Sequence, residues 1–495
     1  MTDRDEQAIE KAKMTSQQLP LVVDLDGTLL VTDSLWESVT SMISRQPQRC
    51  LELPLFLLKG RAAFKSAVAP YALNHVAEWP YNEAVLEVIR EAKREGREVC
   101  LATAAHKDIA GKVADHLGLF DCVLATEYEG TEDHVVSNNL KGEKKAEALC
   151  ARYGEKGFDY IGDSSADLAV WSRARKAIIV GRNRIIASQL EEQGIPVSFL
   201  SAPVATARTY VKALRVHQWV KNILVFLPLL LAHRFSLEDF GAVLLGFICF
   251  CATASSVYLL NDLLDLAADR RHPTKRRRPF AAGLIPLWQG VPLAAGGLCG
   301  AALLCLFLPT LFALTLLSYF IVTCAYSFYI KQTLLLDIVV LSGLYLLRIV
   351  AGAMALEISL SNWLIGFAFF FFLGLALIKR GVEARGLHGK DDNDSMKRRA
   401  YRGTDKVILE MMAVCSAFCS VLVFSLYIDS LQAASLYSRP FLLWLLCPLL
   451  VYWYGRILLM THRGEMYDDP VEFVGKDKIS YVCFFVGIIP FLAAL

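Results

Sequence analysis

Two patterns of hydrophobic spacing divide the chain. Up to about Arg208, short apolar runs such as Leu21-Val-Val, Val99-Cys-Leu-Ala and Tyr160-Ile end in acids, threonine or glycine, and helical stretches separate them. That alternation predicts an α/β domain. Beyond it, nine apolar stretches follow one another: Trp219–Phe235 (the weakest), Phe240–Leu260, Val291–Leu308, Leu311–Ile330, Thr333–Leu356, Trp363–Ile378, Val407–Ile428, Phe441–Met460 and Ile479–Leu495. A hydrocarbon layer about 30 Å thick takes roughly 20 apolar residues per helix, and a soluble chain has no use for so many runs of that length. The expected organisation is an α/β domain over 1–208 and an all-helical polytopic membrane domain of about nine spanning helices over 209–495.

Composition agrees. Of 495 residues, 55% are hydrophobic and 20% charged, too apolar for a soluble chain of this length and far from disorder. The net charge of +2 gives no reason to expect a nucleic-acid partner. Nine of the 13 cysteines lie inside the apolar runs, no Cys-x-x-Cys pair occurs, and the nine histidines show no ligand spacing, so neither zinc nor dithiol chemistry is expected.

Charge also predicts orientation. If the first span leaves the cytoplasm, the inside loops hold nineteen Lys and Arg and the outside loops hold two, Arg234 and Arg439. The polar start MTDRDEQAIEKAKM has no apolar core, so no secretory signal is expected. Both readings put the α/β domain and the charged clusters on the cytoplasmic side of a cell (inner) membrane.

The α/β half carries four motifs in order over about 145 residues. Leu21-Val-Val-Asp-Leu-Asp-Gly-Thr reads as a buried strand ending in two acids and a turn. Asp24 and Asp26, two apart, suit a carboxylate nucleophile with an acid/base partner. Glu98-Val-Cys-Leu-Ala-Thr is a strand ending in Thr103. Leu140-Lys-Gly-Glu-Lys-Lys offers Lys145, with Lys144 and Lys141 as competitors. Phe158-Asp-Tyr-Ile-Gly-Asp-Ser-Ser-Ala-Asp ends in a GDxxxD pattern. Together these resemble the haloacid-dehalogenase-like (HAD) phosphotransferases, a Rossmann-type α/β fold. The resemblance implies that Asp24 attacks phosphorus, Asp26 protonates the leaving oxygen, and Thr103 and Lys145 hold the phosphoryl. It also implies Mg²⁺ on Asp24, Asp163 and, as a third candidate, Asp167. The helical stretch at 29–97, including Leu51–Lys65, fits the inserted cap of that superfamily.

The membrane half carries a second acidic cluster. Asn261, Asp262, Asp265 and Asp269 fall on one helical face at the cytoplasmic end of the second span. Three carboxylates there would repel one another without a cation, and oxygen-only ligands suit Mg²⁺ and a diphosphate. NDxxDxxxD in this place resembles the UbiA superfamily of intramembrane prenyltransferases. The flanks Arg215-Val-His-Gln-Trp-Val-Lys-Asn, containing Lys221, and Arg270-Arg-His-Pro-Thr-Lys-Arg-Arg-Arg-Pro look like its decaprenyl-phosphate phosphoribosyltransferase branch. That branch implies phosphoribosyl diphosphate as donor, a polyprenyl phosphate as acceptor, and Mg²⁺ on Asp262, Asp265 and Asp269. Lys275, Arg276 and Arg278 beside the acids have the forked or point charge that phosphates accept. A second acidic pair common in the superfamily is reduced here to Asp337, leaving Lys331 to meet a phosphate. Arg348, in mid-span, needs a partner or a wet cavity; facing the active-site cavity and pairing two helices are both open.

The charged loop Gly386–Asp405 reads either as a cover or as a connector, and Asp468-Asp469 either as a substrate contact or as loop acids. The combined expectation is a bifunctional membrane enzyme, a phosphoribosyltransferase with a phosphatase acting on its lipid-linked product. An aromatic prenyltransferase using a prenyl diphosphate and a membrane-anchored HAD phosphatase are the alternatives. A homo-oligomer is left open.

Overall fold

The computed structural model describes residues 19–131, 134–385, 401–466 and 470–495. Most of the charged loop (386–400) and the acids Asp468 and Asp469 lie outside the described residues. The chain divides into two compact units: Met1–Leu214 with Tyr258–Leu293, and Arg215–Val257 with Ala294–Leu495. The division falls at Leu214 instead of 208, and the stretch following the second predicted span groups with the α/β unit.

The first unit is built on seven strands: β1 (Leu21–Val23), β2 (Val99–His106), β3 (Cys122–Thr131), β4 (His134–Asn138), β5 (Asp159–Gly162), β6 (Lys176–Val180) and β7 (Val197–Leu200). Their order is β4-β3-β2-β1-β5-β6-β7. All pairings are parallel except the hairpin β3–β4. Strand β1 is central, with Val22 opposite both Cys100 and Tyr160. Being covered on both faces, it is apolar throughout. Leu21 and Val23 pack into one core with Val85, Ile89 and Val113, while Val22 packs into the other with Phe158 and Trp171. An open parallel sheet leaves its ligand crevice at the carboxyl ends of its strands, and Asp24 follows directly on β1.

Between β1 and β2 the chain makes a helical insertion: Ser34–Arg45, Leu53–Leu58 and Arg61–Val68, then Glu83–Arg94 leading back to the sheet. Asp33 caps the first of these helices, its carboxylate accepting from Leu35 and Trp36 N–H. The insertion has a small core of its own, Val39, Met42, Phe64 and Val68.

The second unit is helical. Seven helices among the described residues are long and apolar enough to cross a membrane, and they coincide with the second to eighth predicted stretches. The first stretch differs: Ala207–Ala213 and Val216–Leu231 form a pair bent by 54°, which counts as one span at most. The bend falls between Ala213 and Val216, where Arg215 takes a left-handed backbone (φ +52°), and Val216–Phe226 beyond it is a tight 3-10 run. The last stretch is a helix of 17 residues, Lys478–Ala494, about 25 Å long at 1.5 Å per residue. Among the described residues the count by length and composition is therefore seven, or eight with the bent pair, where the sequence predicts nine.

Candidate active sites

Lys145, from helix Glu143–Tyr153, reaches the end of β1 and places Nζ 2.9 Å from Asp24 Oδ1. The same ammonium donates to Tyr160 Oη at 2.9 Å and Asp167 Oδ1 at 3.4 Å. Of the competing lysines, Lys144 is exposed, while Lys141 lines the cleft. Carboxylate oxygens of Asp24, Asp163 and Asp167 lie within 4.8 Å of one another. Three hard oxygen donors so spaced fit a divalent cation. Burial and the neighbouring Asp24 charge push the Asp163 carboxyl up to about 7. Burial likewise raises Asp24, against the pull of Lys145.

Asp26 is held by the start of the first cap helix. Its Oδ1 accepts from Ser34 N at 2.7 Å and its Oδ2 from Ser34 Oγ at 3.1 Å. Withdrawal from water and then the Asp33 charge push its carboxyl up to about 8, so it carries a proton at neutral pH. The turn between these acids and the cap requires glycine: Gly27 has φ +75°, and a Cβ there would sit 2.4 Å from Asp163 Oδ2. Thr103 is buried and lines the same cleft of about 370 Å³. The cleft thus joins a carboxylate paired with an ammonium, a carboxyl that keeps its proton at neutral pH, and three acids whose oxygens converge.

The second acidic cluster lies in the same unit. Asn261 and Asp262 occupy the last turn of helix Leu237–Leu264, Asp265 the junction, and Asp269 the short helix Leu266–Arg271. Backbone bonds run from Asp265 N to Asn261 O (2.9 Å) and from Asp269 N to Asp265 O (2.8 Å), so one helical face continues through the junction. Asp262 and Asp269 are buried, Asn261 and Asp265 half-buried. One guanidinium nitrogen of Arg278 bonds both Asp262 Oδ1, at 3.2 Å, and Asp269. Lys275 is half-buried and Arg276 exposed in the 3-10 turn just before it.

In the helical unit, Asp337 is fully buried and meets Arg380 Nε at 2.6 Å, with Tyr401 as a second donor. Arg380 also bonds Glu383 and Tyr326. Arg348, buried in helix Leu336–Ala355, donates to Asn222 Oδ1 (2.8 Å), Tyr319 Oη (3.0 Å) and Leu344 O. Those partners are neutral and tie separate helices together. Lys221 and Lys331 are half-buried in 3-10 segments.

Three participants were missed in the sequence. Tyr160, inside the buried β5, anchors Lys145 and Asp167; its hydroxyl three residues before Asp163 of the GDxxxD pattern was the available signal. Arg380 was counted as a loop charge, although it belongs to helix Asn362–Arg385. Arg270 bonds Glu37 of the cap through two nitrogens, at 2.8 and 2.7 Å, and nothing local in the sequence points to that.

The fold and these sites define an integral membrane protein carrying a hydrolase-type α/β domain. Residues 222–469 match the UbiA prenyltransferase family and residues 21–171 the haloacid dehalogenase-like hydrolases. The protein y4nM of Sinorhizobium fredii is 38% identical over 98% of this chain and 92% of its own length. The nodulation protein NoeC of Azorhizobium caulinodans is 36% identical over 56% of this chain and 89% of its own. A decaprenyl-phosphate phosphoribosyltransferase of Mycolicibacterium smegmatis is 34% identical over 50% of this chain and 78% of its own. The chain belongs to the UbiA prenyltransferase family, with a HAD-like domain at its N-terminal end.

Proposed function

We propose that this chain is a bifunctional membrane enzyme. Its membrane domain transfers 5-phosphoribosyl from phosphoribosyl diphosphate to a polyprenyl phosphate, and its hydrolase domain then removes the 5-phosphate from the lipid-linked product. The observation that carries the reading is the contact of Arg278, from the HPTKxxRP string, with Asp262 and Asp269 of NDxxDxxxD. It gathers phosphate-binding cation and acidic ligands into one cluster, in a chain resembling named decaprenyl-phosphate phosphoribosyltransferases. The excess of Lys and Arg in one set of loops supports a cytoplasmic placement of both sites at the inner membrane.

In the transfer, an oxygen of the lipid phosphate bonds to ribosyl C1 while the C1–O bond to pyrophosphate breaks, and C1 passes through oxocarbenium character. No protein nucleophile is needed; orientation and charge stabilisation carry the step. Asp262, Asp265 and Asp269 would hold Mg²⁺, which when bound neutralises the diphosphate. Arg278, Lys275, Arg276 and Asn261 would orient the phosphates and ribose, and Lys221, Lys331, Asp337 and Arg348 would bind substrate as well.

In the hydrolysis, Asp24 attacks the 5-phosphate phosphorus while Asp26 gives its proton to the departing ribose oxygen. Water, deprotonated by Asp26, then cleaves the aspartyl phosphate. Thr103 and Lys145 hold the phosphoryl oxygens, and Asp24, Asp163 and Asp167 would hold Mg²⁺.

Mass spectrometry of lipids formed from phosphoribosyl diphosphate and polyprenyl phosphate tests the scheme. Wild type should yield polyprenylphosphoryl ribose, Asp24→Asn its 5-phosphate, and Asp262→Ala neither. A prenylated aromatic acid, with no lipid-linked ribose, overturns it.

A further inference from the structure

The phosphatase cleft is not lined by the α/β domain alone. Pro286, Leu287 and Trp288 line it together with Asp24, Asp26, Thr103, Lys145 and Asp163. Leu287 and Trp288 open the apolar helical segment Leu287–Cys305, one of the seven long enough to cross a membrane, and Pro286 directly precedes it. The segment leading to them is fitted tightly onto the catalytic loop. Gly283 has φ +71°, and a Cβ there would lie 2.9 Å from Val31 Cγ1 and 3.2 Å from Thr32 Cγ2. Leu287 is buried, whereas Trp288 is 48% exposed. A tryptophan at the start of a span is the residue type that settles in the headgroup layer, and here it is also a wall of a catalytic cleft.

The cap wall has the same character. Lys65, which lines the cleft, lies in helix Arg61–Val68. Directly before that helix comes the cap segment whose Leu51, Leu55, Leu57 and Leu58 are 55–84% exposed. Four exposed leucines followed by exposed Lys59 and Arg61 are wasteful on a water-facing surface. They match a bilayer surface, apolar side chains entering the acyl boundary and cations meeting anionic headgroups.

We propose that the phosphatase cleft works at the bilayer surface and selects lipid-anchored phosphomonoesters, with Trp288 as the specificity-determining wall and the cap leucines as the lipid-facing edge. This deepens the product-directed reading above and rests on it. The polar end of the cleft takes the phosphate, Trp288 packs against the first prenyl units beyond the sugar, and the rest of the tail stays in lipid. A soluble ester makes the polar contacts and forfeits the rest.

The test uses the full chain in vesicles and two probes with one headgroup: phosphoribosyl phosphate esterified to a long prenol, or to methanol. Phosphate release from the prenyl ester should show the lower KM. Trp288→Ala should raise that KM about tenfold, the worth of one aromatic contact, and raise the methyl ester's KM by clearly less. Leu55→Ser/Leu58→Ser should act in the same direction. Equal KM values for the two probes, or a Trp288→Ala loss shared equally between them, overturns this inference while the product-directed reading stands. Release from neither probe overturns both.

Discussion

Removing Glu37 while keeping Arg270 probes how the hydrolase is joined to the loop that carries the acidic cluster. The pair is 233 residues apart in sequence and nearly dry, with side-chain exposures of 6% for Arg270 and 1% for Glu37. Arg270 Nη1 and Nη2 each meet one carboxylate oxygen, Nε donates to Ala281 O at 3.0 Å, and Thr32 Oγ1 donates to Glu37 at 2.6 Å. Glu37→Ala strands a guanidinium and a hydroxyl away from water, and breaking such a pair costs about 3–5 kcal/mol. For a unit of this size, roughly 2–4 °C per kcal/mol makes the expected drop in unfolding temperature about 6–20 °C. Glu37→Leu/Arg270→Met removes the stranded charge and should recover most of the loss. Because Glu37 lies one turn beyond Ser34, the residue that holds Asp26, the single variant should also lower phosphate release. Thermal unfolding of the detergent-solubilised full chain reads the first effect and initial rates the second. A single-variant shift under about 3 °C, or a double variant as labile as the single, refutes the buried-pair reasoning.

The remaining predictions concern the two sites and the helical core. Asp26 donates only while protonated, and its carboxyl is pushed up to about 8. Phosphate release from alkyl esters should therefore fall about tenfold per unit above that value, and fall again on the acid side as the Asp24 nucleophile, raised to about 6, takes up a proton. Because the Asp33 charge contributes to the rise, Asp33→Asn should move the fall to lower pH; an unchanged pH–rate profile contradicts the assignment. Arg278→Ala should abolish lipid-phosphoribose formation while Arg278→Lys keeps a fraction of it, as measured by radiolabel transfer, since one point charge replaces a fork. Arg380→Met leaves Asp337 buried without its guanidinium and should destabilise the helical unit by about 3–5 kcal/mol. Arg380→Met/Asp337→Leu should restore much of that in a thermal scan.

What the sequence discloses and what it conceals follow from the range of the interactions. The strand leading to Asp24, the turn at Gly27 and the GDxxxD pattern are local, each legible because a few adjacent residues must adopt one backbone course. Apolar runs are equally local, which is why seven spans coincide with their predicted stretches. The failures come where length alone was the signal: the first stretch is long enough, yet it lies in the second limb of a pair bent at Arg215 and begins as a tight 3-10 run. Basic residues show the deeper limit. The six Lys and Arg between Asn261 and Val291 read as one topological signal, but burial and partners separate them. Arg270 is locked to the cap, Arg271 meets Glu78 at 3.4 Å, Arg278 bridges two aspartates, and Arg276 and Arg277 are exposed. A positive charge near a membrane serves topology wherever its side chain points, so the topological count cannot say which charges also do something else. Only the partner decides that, and a partner 233 positions away leaves no periodicity to read. The same reasoning explains Trp288: its place at the head of a span is visible in the sequence, but its second role as a wall of the cleft depends on a loop returning to Val31 and Thr32.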